Sequence, residues 1–328
     1  MNYLILQIGR GGTMYDISQL LVKAVWSGRK GSAPRTLEAT LFDGEQLKKR
    51  APVDVSAGQT VLLYETDENG KNKLEIFQGL LMSEKRRSDR LLTIKAYDIC
   101  IRFTNNKDSF SYKKVTASGI FTDCCGRLGL SCGTVAGTGH VIGELVKKAT
   151  TYWDVIEDAL SQTYKTTKAR YYVYAEKGKV NLMRRSQPST MQRIELGHNI
   201  ESYERNRSIE NTRTRLKLVT SEGVLKNNTV VGGLEAKIGR FQEFESVDEK
   251  ITQTEILSRV NVFQMEQAII GQTMKVTALG NSKIKAGSVV YVDINTVGMK
   301  RAMFVEADTH TWEKGRHLMT LDLDTEVS

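Results

Sequence analysis

The chain has 328 residues, 40% of them hydrophobic and 26% charged, with a formal net charge of +9 and a mean hydropathy of −0.34. Its length exceeds the roughly 100–200 residues of one ordinary domain, and its composition excludes disordered and collagen-like classes. No apolar run approaches the roughly 20 residues of a membrane helix, and three prolines, Pro34, Pro52 and Pro188, leave no proline-rich linker.

The start, Met1 to Ile8, alternates as a strand and lacks the basic and apolar regions of a secretory signal, so residence in the cytoplasm is expected. Gly9-Arg10-Gly11-Gly12 follows. It lacks the third glycine of a dinucleotide fingerprint and the Lys-Ser/Thr ending of a P-loop, and is read as a plain turn.

Further along, the chain repeats itself. Phe77 to Lys95 aligns without a gap, at an offset of 227, with Phe304 to Asp322, which lays Arg87-Ser88-Asp89 over Lys314-Gly315-Arg316. Ser56 to Tyr64 lies over Lys285 to Asp293 at an offset of 229. Within both copies the apolar period is two, as in Met319, Leu321 and Leu323 against Thr320, Asp322 and Asp324, which predicts half-buried antiparallel strands. Several short strands spaced by turns predict a small barrel in each copy, the first over residues 1–104 and the second over 200–328.

Between them, over residues 105–199, the period changes. Ile120, Phe121, Cys124, Cys125 and Leu128 form a helical stripe that stops at Gly129. Trp153, Ile156, Leu160 and Tyr164 form another, opened by Thr151 and Asp154 as a capping box. Arg170 to Tyr174 and Lys179 to Met183 flank Ala175-Glu176-Lys177-Gly178 as a hairpin. A third helix fits residues 248–270, an insertion in the second β unit. The expected fold is therefore α+β and β-rich, with two small β-barrels, a middle α+β domain and a helical insertion.

Catalytic chemistry is sparse. Cys100, Cys124, Cys125 and Cys132 match neither zinc-ligand spacing nor a disulfide framework, and are read as small buried hydrophobes. There is no G-x-S-x-G, and Glu157 and Asp158 are splayed apart by adjacency on a helix. Asp308 and His310 share a strand face, but with Trp312 opposite His317, His310 falls opposite Met319 and His317 lies too far along the hairpin to complete a metal site. No catalytic residue, metal or cofactor is expected.

The basic residues are better organised. Lys85, Arg86, Arg87 and Arg90 make a basic hairpin tip, Arg184-Arg185 another, and Lys314 and Arg316 flank Gly315 at the repeated tip. Arg205, Arg207, Arg213, Arg215 and Lys217 occupy odd positions, so a strand through Arg213 to Val219 presents a cationic stripe with Leu216 and Leu218 behind it. These are candidate interface residues. The alternative reading is a basic β-barrel that binds nucleic acid, although stacking aromatics are not interleaved with the positive charges.

Several segments in order resemble the XkdQ/YqbQ family of hub proteins of contractile phage tails. They are Tyr15-Asp16-Ile17-Ser18, Trp26-Ser27-Gly28 with Ala33-Pro34-Arg35-Thr36-Leu37-Glu38, Ala96-Tyr97-Asp98, Thr151-Tyr152-Trp153-Asp154-Val155-Ile156, Ser208-Ile209-Glu210-Asn211-Thr212-Arg213-Thr214-Arg215, and Asp308-Thr309-His310-Thr311-Trp312. The family is related in fold to gene-D-type late control proteins and to the hub half of type VI spike proteins. The resemblance implies that the Asp-Thr-His-Thr-Trp run is structural. It also implies a non-enzymatic homotrimer whose two barrels per chain form a quasi-sixfold ring, adapting a threefold spike to a sixfold tube and nucleating that tube. Implied partners are the tail tube protein, the spike, other baseplate proteins and the tape measure, in a particle assembled in the bacterial cytoplasm. The chain is expected to leave no room for a fused lytic domain after the second β unit.

Overall fold

The structure, a computed structural model, describes residues 3–43, 55–67, 69–70, 72–186, 188 and 190–324. The first unit is built from β1 (Tyr3–Arg10), β2 (Thr13–Asp16), β3 (Leu21–Arg29), β4 (Thr36–Phe42), β5 (Thr60–Thr66), β6 (Leu74–Arg86) and β7 (Leu91–Asp98). The glycine loop is the turn from β1 to β2, with Gly11 and Gly12 both at positive φ. Side by side the strands run β2-β1-β5-β6-β7-β4-β3, all antiparallel. Every second side chain points inward, so that Leu37, Ala39 and Leu41 of β4 meet Leu92, Ile94 and Ala96 of β7 in one core.

The middle unit follows as α1 (Ile101–Asn105), β8 (Lys107–Thr116), α2 (Ala117–Arg127), β9 (Cys132–Val135), β10 (Val141–Thr151), α3 (Tyr152–Thr167), β11 (Tyr171–Glu176) and β12 (Lys179–Arg184). Both expected helices and the hairpin are present. Thr151 accepts from the Asp154 N–H while the Asp154 carboxylate accepts in return, so the capping box is complete. Cys100, Cys124 and Cys125 are buried in this unit's core with Phe103, Phe121 and Ile156.

β13 (Gln192–Glu195) pairs parallel with β19, and the second unit opens with β14 (Ile200–Ser208). The chain then departs through β15 (Arg215–Thr220), β16 (Leu225–Val230), α4 (Gly232–Ile238), β17 (Gln242–Val247) and α5 (Gln253–Glu266) before returning as β18 (Gly271–Leu279), β19 (Val289–Ile294), β20 (Met299–Glu313) and β21 (Arg316–Asp324). The insertion is thus larger than the single helix expected at 248–270. β15, β16 and β17 form a separate three-stranded sheet, and Leu216, Leu218 and Val247 pack with Ile256 and Phe263 of α5 in their own core. The strand read through Arg213 to Val219 therefore belongs to this inserted unit, because its apolar face has α5 to cover it.

The repeat is deeper than sequence alignment indicates, and its register differs. The second unit runs β19-β20-β21-β18-β14 where the first runs β5-β6-β7-β4-β3. Leu80 pairs with Thr60 where Phe304 pairs with Val289, so Leu80 rather than Phe77 is the counterpart of Phe304. A bulge at Met82 corresponds to one at Glu306, and a bulge at Val22 to one at Glu201. Even the turn bonds recur: Gly58 N–H to Leu81 O and Leu81 N–H to Gln59 O match Gly287 N–H to Val305 O and Val305 N–H to Ser288 O. The ungapped offset fails because the β20–β21 hairpin runs three residues further. Three residues separate Arg87 from its partner Leu91, but six separate Thr311 from its partner Leu318.

The two units are joined edge to edge. The N-terminal half of β20, Met299 to Phe304, pairs with β19, while Ala307 to Glu313, beyond the Glu306 bulge, pairs antiparallel with β3. A bulge bends and twists its strand, which lets one strand serve two neighbours. Among the described residues the outcome is one 13-stranded sheet. Among the described residues no sheet closes on itself, so the two expected barrels are seen as open sheets sharing a seam.

Candidate functional site

The seam is where polar chemistry concentrates. β3 faces β20 from Lys23 opposite Glu313 to Arg29 opposite Ala307, with Trp26 opposite His310 and Gly28 opposite Asp308. Lys23 and Glu313 form an ion pair at 3.3 Å. Asp308 is 1% exposed, and the Arg35 guanidinium donates to both its oxygens, at 2.8 and 2.5 Å. The Ala286 N–H also donates to it, at 2.6 Å. The guanidinium carbon of Arg35 sits over the Trp26 ring, 3.9 Å from its centroid, and the side chain crosses the face of Gly28 where a Cβ would stand. A buried carboxylate held this way has its charge and lone pairs satisfied, which is the condition for keeping one inside a protein.

His310 extends this cluster. Its Nε2 lies 2.8 Å from the Ile284 carbonyl, which only accepts, so Nε2 carries the hydrogen and Nδ1 receives one from His317 Nε2 at 3.0 Å. Burial pulls the His310 pKa down to about 4, an effect reinforced by His317 and opposed by Asp308. His310 is therefore neutral near pH 7. The expected register, Trp312 opposite His317 and His310 opposite Met319, is present. The expectation that His317 lies too far along the hairpin is overturned. Its ring stacks on Trp312 at 4.1 Å between centroids and leans diagonally to His310, a reach that long or aromatic side chains have on a sheet face. A histidine pair and a salt-bridged Asp308 result, and among the described residues no group of three or more His, Cys, Asp or Glu is placed to hold a metal.

Behind the seam a cleft of about 240 Å3 is lined by Trp26, Arg35, Asp98, Glu176 and Lys285. Burial raises the Asp98 pKa to about 6, although backbone N–H groups of Arg35 and Cys100 donate to it and oppose the shift.

The basic residues singled out in the sequence are dispersed over separate elements. Lys85, Arg86, Arg87 and Arg90 do form an exposed hairpin tip, in which Arg86 grips Asp43 with two hydrogen bonds and Arg87 pairs with Asp89. Lys314 and Arg316 lie at the other tip, where Arg316 pairs with Glu201 at 3.1 Å. Arg215 and Lys217 share one face of β15, with Leu216 and Leu218 buried behind them, while Arg213 precedes the strand, which starts two residues later than expected; Arg213 pairs with Glu243 and Arg215 is held by Glu235 through two bonds. Arg205 and Arg207 sit on β14 instead. Arg185 is not part of a tip at all, being buried on Phe304 and paired with Glu306. Sequence reasoning gave no role to Arg35 or Asp98, whose contacts Arg35–Asp308 and Arg35–Asp98 span 273 and 63 residues of chain. For Arg35 the available signal was the glycine at 28, which makes room for it.

A model of the family described as YQBQ-like matches residues 24–324. The phage-like element PBSX protein XkdQ of Bacillus subtilis is 31% identical over 306 residues, covering 90% of each chain. Two solved structures share the fold at low identity. The tail protein from Neisseria meningitidis MC58 is 11% identical with a TM-score of 0.73, over 99% of this chain and 97% of that one. The E. coli c3393 protein, described as a component of the type VI secretion system with structural similarity to T4 bacteriophage tail proteins gp27 and gp5, is 10% identical with a TM-score of 0.58, over 98% and 77%. The family-model match over residues 24–324, with a relative 31% identical along nine-tenths of the chain, places this protein in the YqbQ-like family.

Proposed function

We propose that this chain is a structural hub subunit of a phage-tail-like baseplate. Three copies form a ring in which each contributes two similar β units, so that six quasi-equivalent positions face a sixfold tube and the trimer as a whole accepts a threefold spike. The tube nucleates on the ring, and the spike, other baseplate proteins and the tape measure are its further partners. The chain divides for this purpose into a first β unit up to about residue 104, a middle unit to about 199 and a second β unit, and it works without catalysis.

The observation that carries this reading is the strand-by-strand repeat joined at a β3–β20 seam, because a ring of like units needs each unit to offer one edge and receive another. The names of the relatives, a phage-like element protein, a phage tail protein and a secretion-system component, point to the same kind of assembly. The involvement of Arg213 and Arg215 in ion pairs speaks against a phosphate-binding stripe. Light scattering on the purified protein at low and high salt tests the proposal. A salt-resistant mass of about 110 kDa, for three chains of 36.8 kDa, is the expected result. A monomer that retains nucleic acid and sheds it with salt would overturn it.

A further inference from the structure

The seam inside one chain has a counterpart that no strand fills among the described residues. β3 is matched in the second unit by β14, and the half of β20 that receives β3 is matched in the first unit by the end of β6 from Ser83 onward. Among the described residues β14 is the terminal strand of the sheet, with β18 on one side only. Beyond Leu81, among the described residues, β6 pairs with β7 alone. Each chain therefore carries one used seam and the two separated halves of a second.

We infer that the β14 edge of one copy adds antiparallel to the β6 edge of the next copy, in the register that β3 and β20 adopt within the chain. This rests on the ring reading above and specifies its contact. Carrying the matched bulges across sets Glu204 opposite Arg87, Asn206 opposite Lys85, Arg207 opposite Glu84 and Ser208 opposite Ser83. The bond from Lys30 N–H to Glu306 O becomes one from Ile209 N–H to Met82 O. Leu80, Met82 and Ile209, which stand 42%, 38% and 42% exposed, lie along these edges.

The side chains support the register at the position that matters most. In the existing seam Asp308 is neutralised by Arg35, which reaches it across Gly28. The counterpart of Asp308 is Glu84, and the match extends to its backbone donor, since Ala57 N–H donates to Glu84 as Ala286 N–H donates to Asp308. The counterpart of Gly28 is Arg207. The cation that the first unit brings over a glycine is thus supplied in the second by the strand residue itself, aimed at the equivalent carboxylate. Opposite charges also meet at Glu204 and Arg87. One like pair arises, Arg205 opposite Arg86, but Arg86 is gripped by Asp43, and Arg205 donates to the Val297 carbonyl and to Gln272.

The test uses the full chain with Lys85→Cys and Asn206→Cys together. Under oxidation these should link copies into a covalent closed oligomer on non-reducing denaturing gels, while Lys85→Cys with Arg207→Cys, a one-residue slip that turns the thiol to the other face, should not. Arg207→Glu or Glu84→Arg alone should raise the concentration at which the assembly dissociates by roughly 30-fold or more, and the two together should restore it. An assembly of about 110 kDa in which the first cysteine pair stays unlinked, or the slipped pair links equally, would overturn this contact and leave the ring reading standing. A wild-type chain that stays monomeric would remove both.

Discussion

Gly28 and Arg35 share one space: the guanidinium that neutralises Asp308 lies where any side chain at position 28 would begin. Gly28→Ala should displace Arg35 and strand a buried carboxylate. Removing one partner of a buried ion pair typically costs about 3–5 kcal/mol, whereas replacing both with apolar groups is often near neutral. Denaturant unfolding should show a loss of that order for Gly28→Ala and for Arg35→Met, and a smaller one for Arg35→Met with Asp308→Leu. A double variant as unstable as either single one would contradict the account.

Acid should reveal two opposed groups. His310 is neutral in the fold with its pKa at about 4 against an ordinary 6.5, so the stability it confers is complete above pH 6.5 and is lost as pH falls toward 4. Asp98, raised to about 6 from an ordinary 3.8, binds its proton more readily when folded, so its share of stability grows over nearly the same interval. Wild-type stability should change little between pH 6.5 and 4 on account of this pair. Asp98→Asn should fall steeply with acid and His310→Gln should not, as read by chemical denaturation at a series of pH values.

The thiols should report burial. Burial holds the Cys100, Cys124 and Cys125 thiols well above their usual range, and a thiol rather than a thiolate is a poor nucleophile. Iodoacetamide at pH 8 should leave these three unmodified in native protein and label them in denaturant, a difference that peptide mass spectrometry resolves. Rapid native labelling of Cys124 would show that the middle core opens.

The two capping boxes allow a local test. Thr151 opens α3 in the middle core and Thr252 opens α5 in the inserted unit, each with a reciprocal acidic partner. Replacing either with Ala should cost about 1 kcal/mol. Hydrogen exchange should place the Thr252→Ala loss in Gln253–Glu266 and leave β20 protection unchanged, because the two lie in different clusters.

Much of this architecture is legible in the sequence because alternation and turn residues are local signals. The helices after Thr116 and Thr151, the Tyr171–Arg184 hairpin and the existence of the repeat all rest on such signals. The three-residue shift between Phe77 and Leu80 is not, since an alternating strand matches another at many offsets and only the bulges at Met82 and Glu306 decide among them. The inserted sheet is equally hidden, because Arg215–Thr220 alternates like any strand of the main sheet and only its packing on Ile256 and Phe263 assigns it elsewhere. The His310–His317 contact depends on the lean of a stacked ring, a tertiary choice that residue spacing does not encode.

The two units differ most in a single connection. From β3 to β4 the chain takes the short path of Lys30 to Arg35, while from β14 to β18 it passes through the whole inserted unit. Around the proposed ring, strands would look alike at every sixty degrees, yet a projection would rise only at every second one. Such an object shows two different counts to two neighbours: a partner that grips the wall meets six equal places, and one that feels the rim meets three.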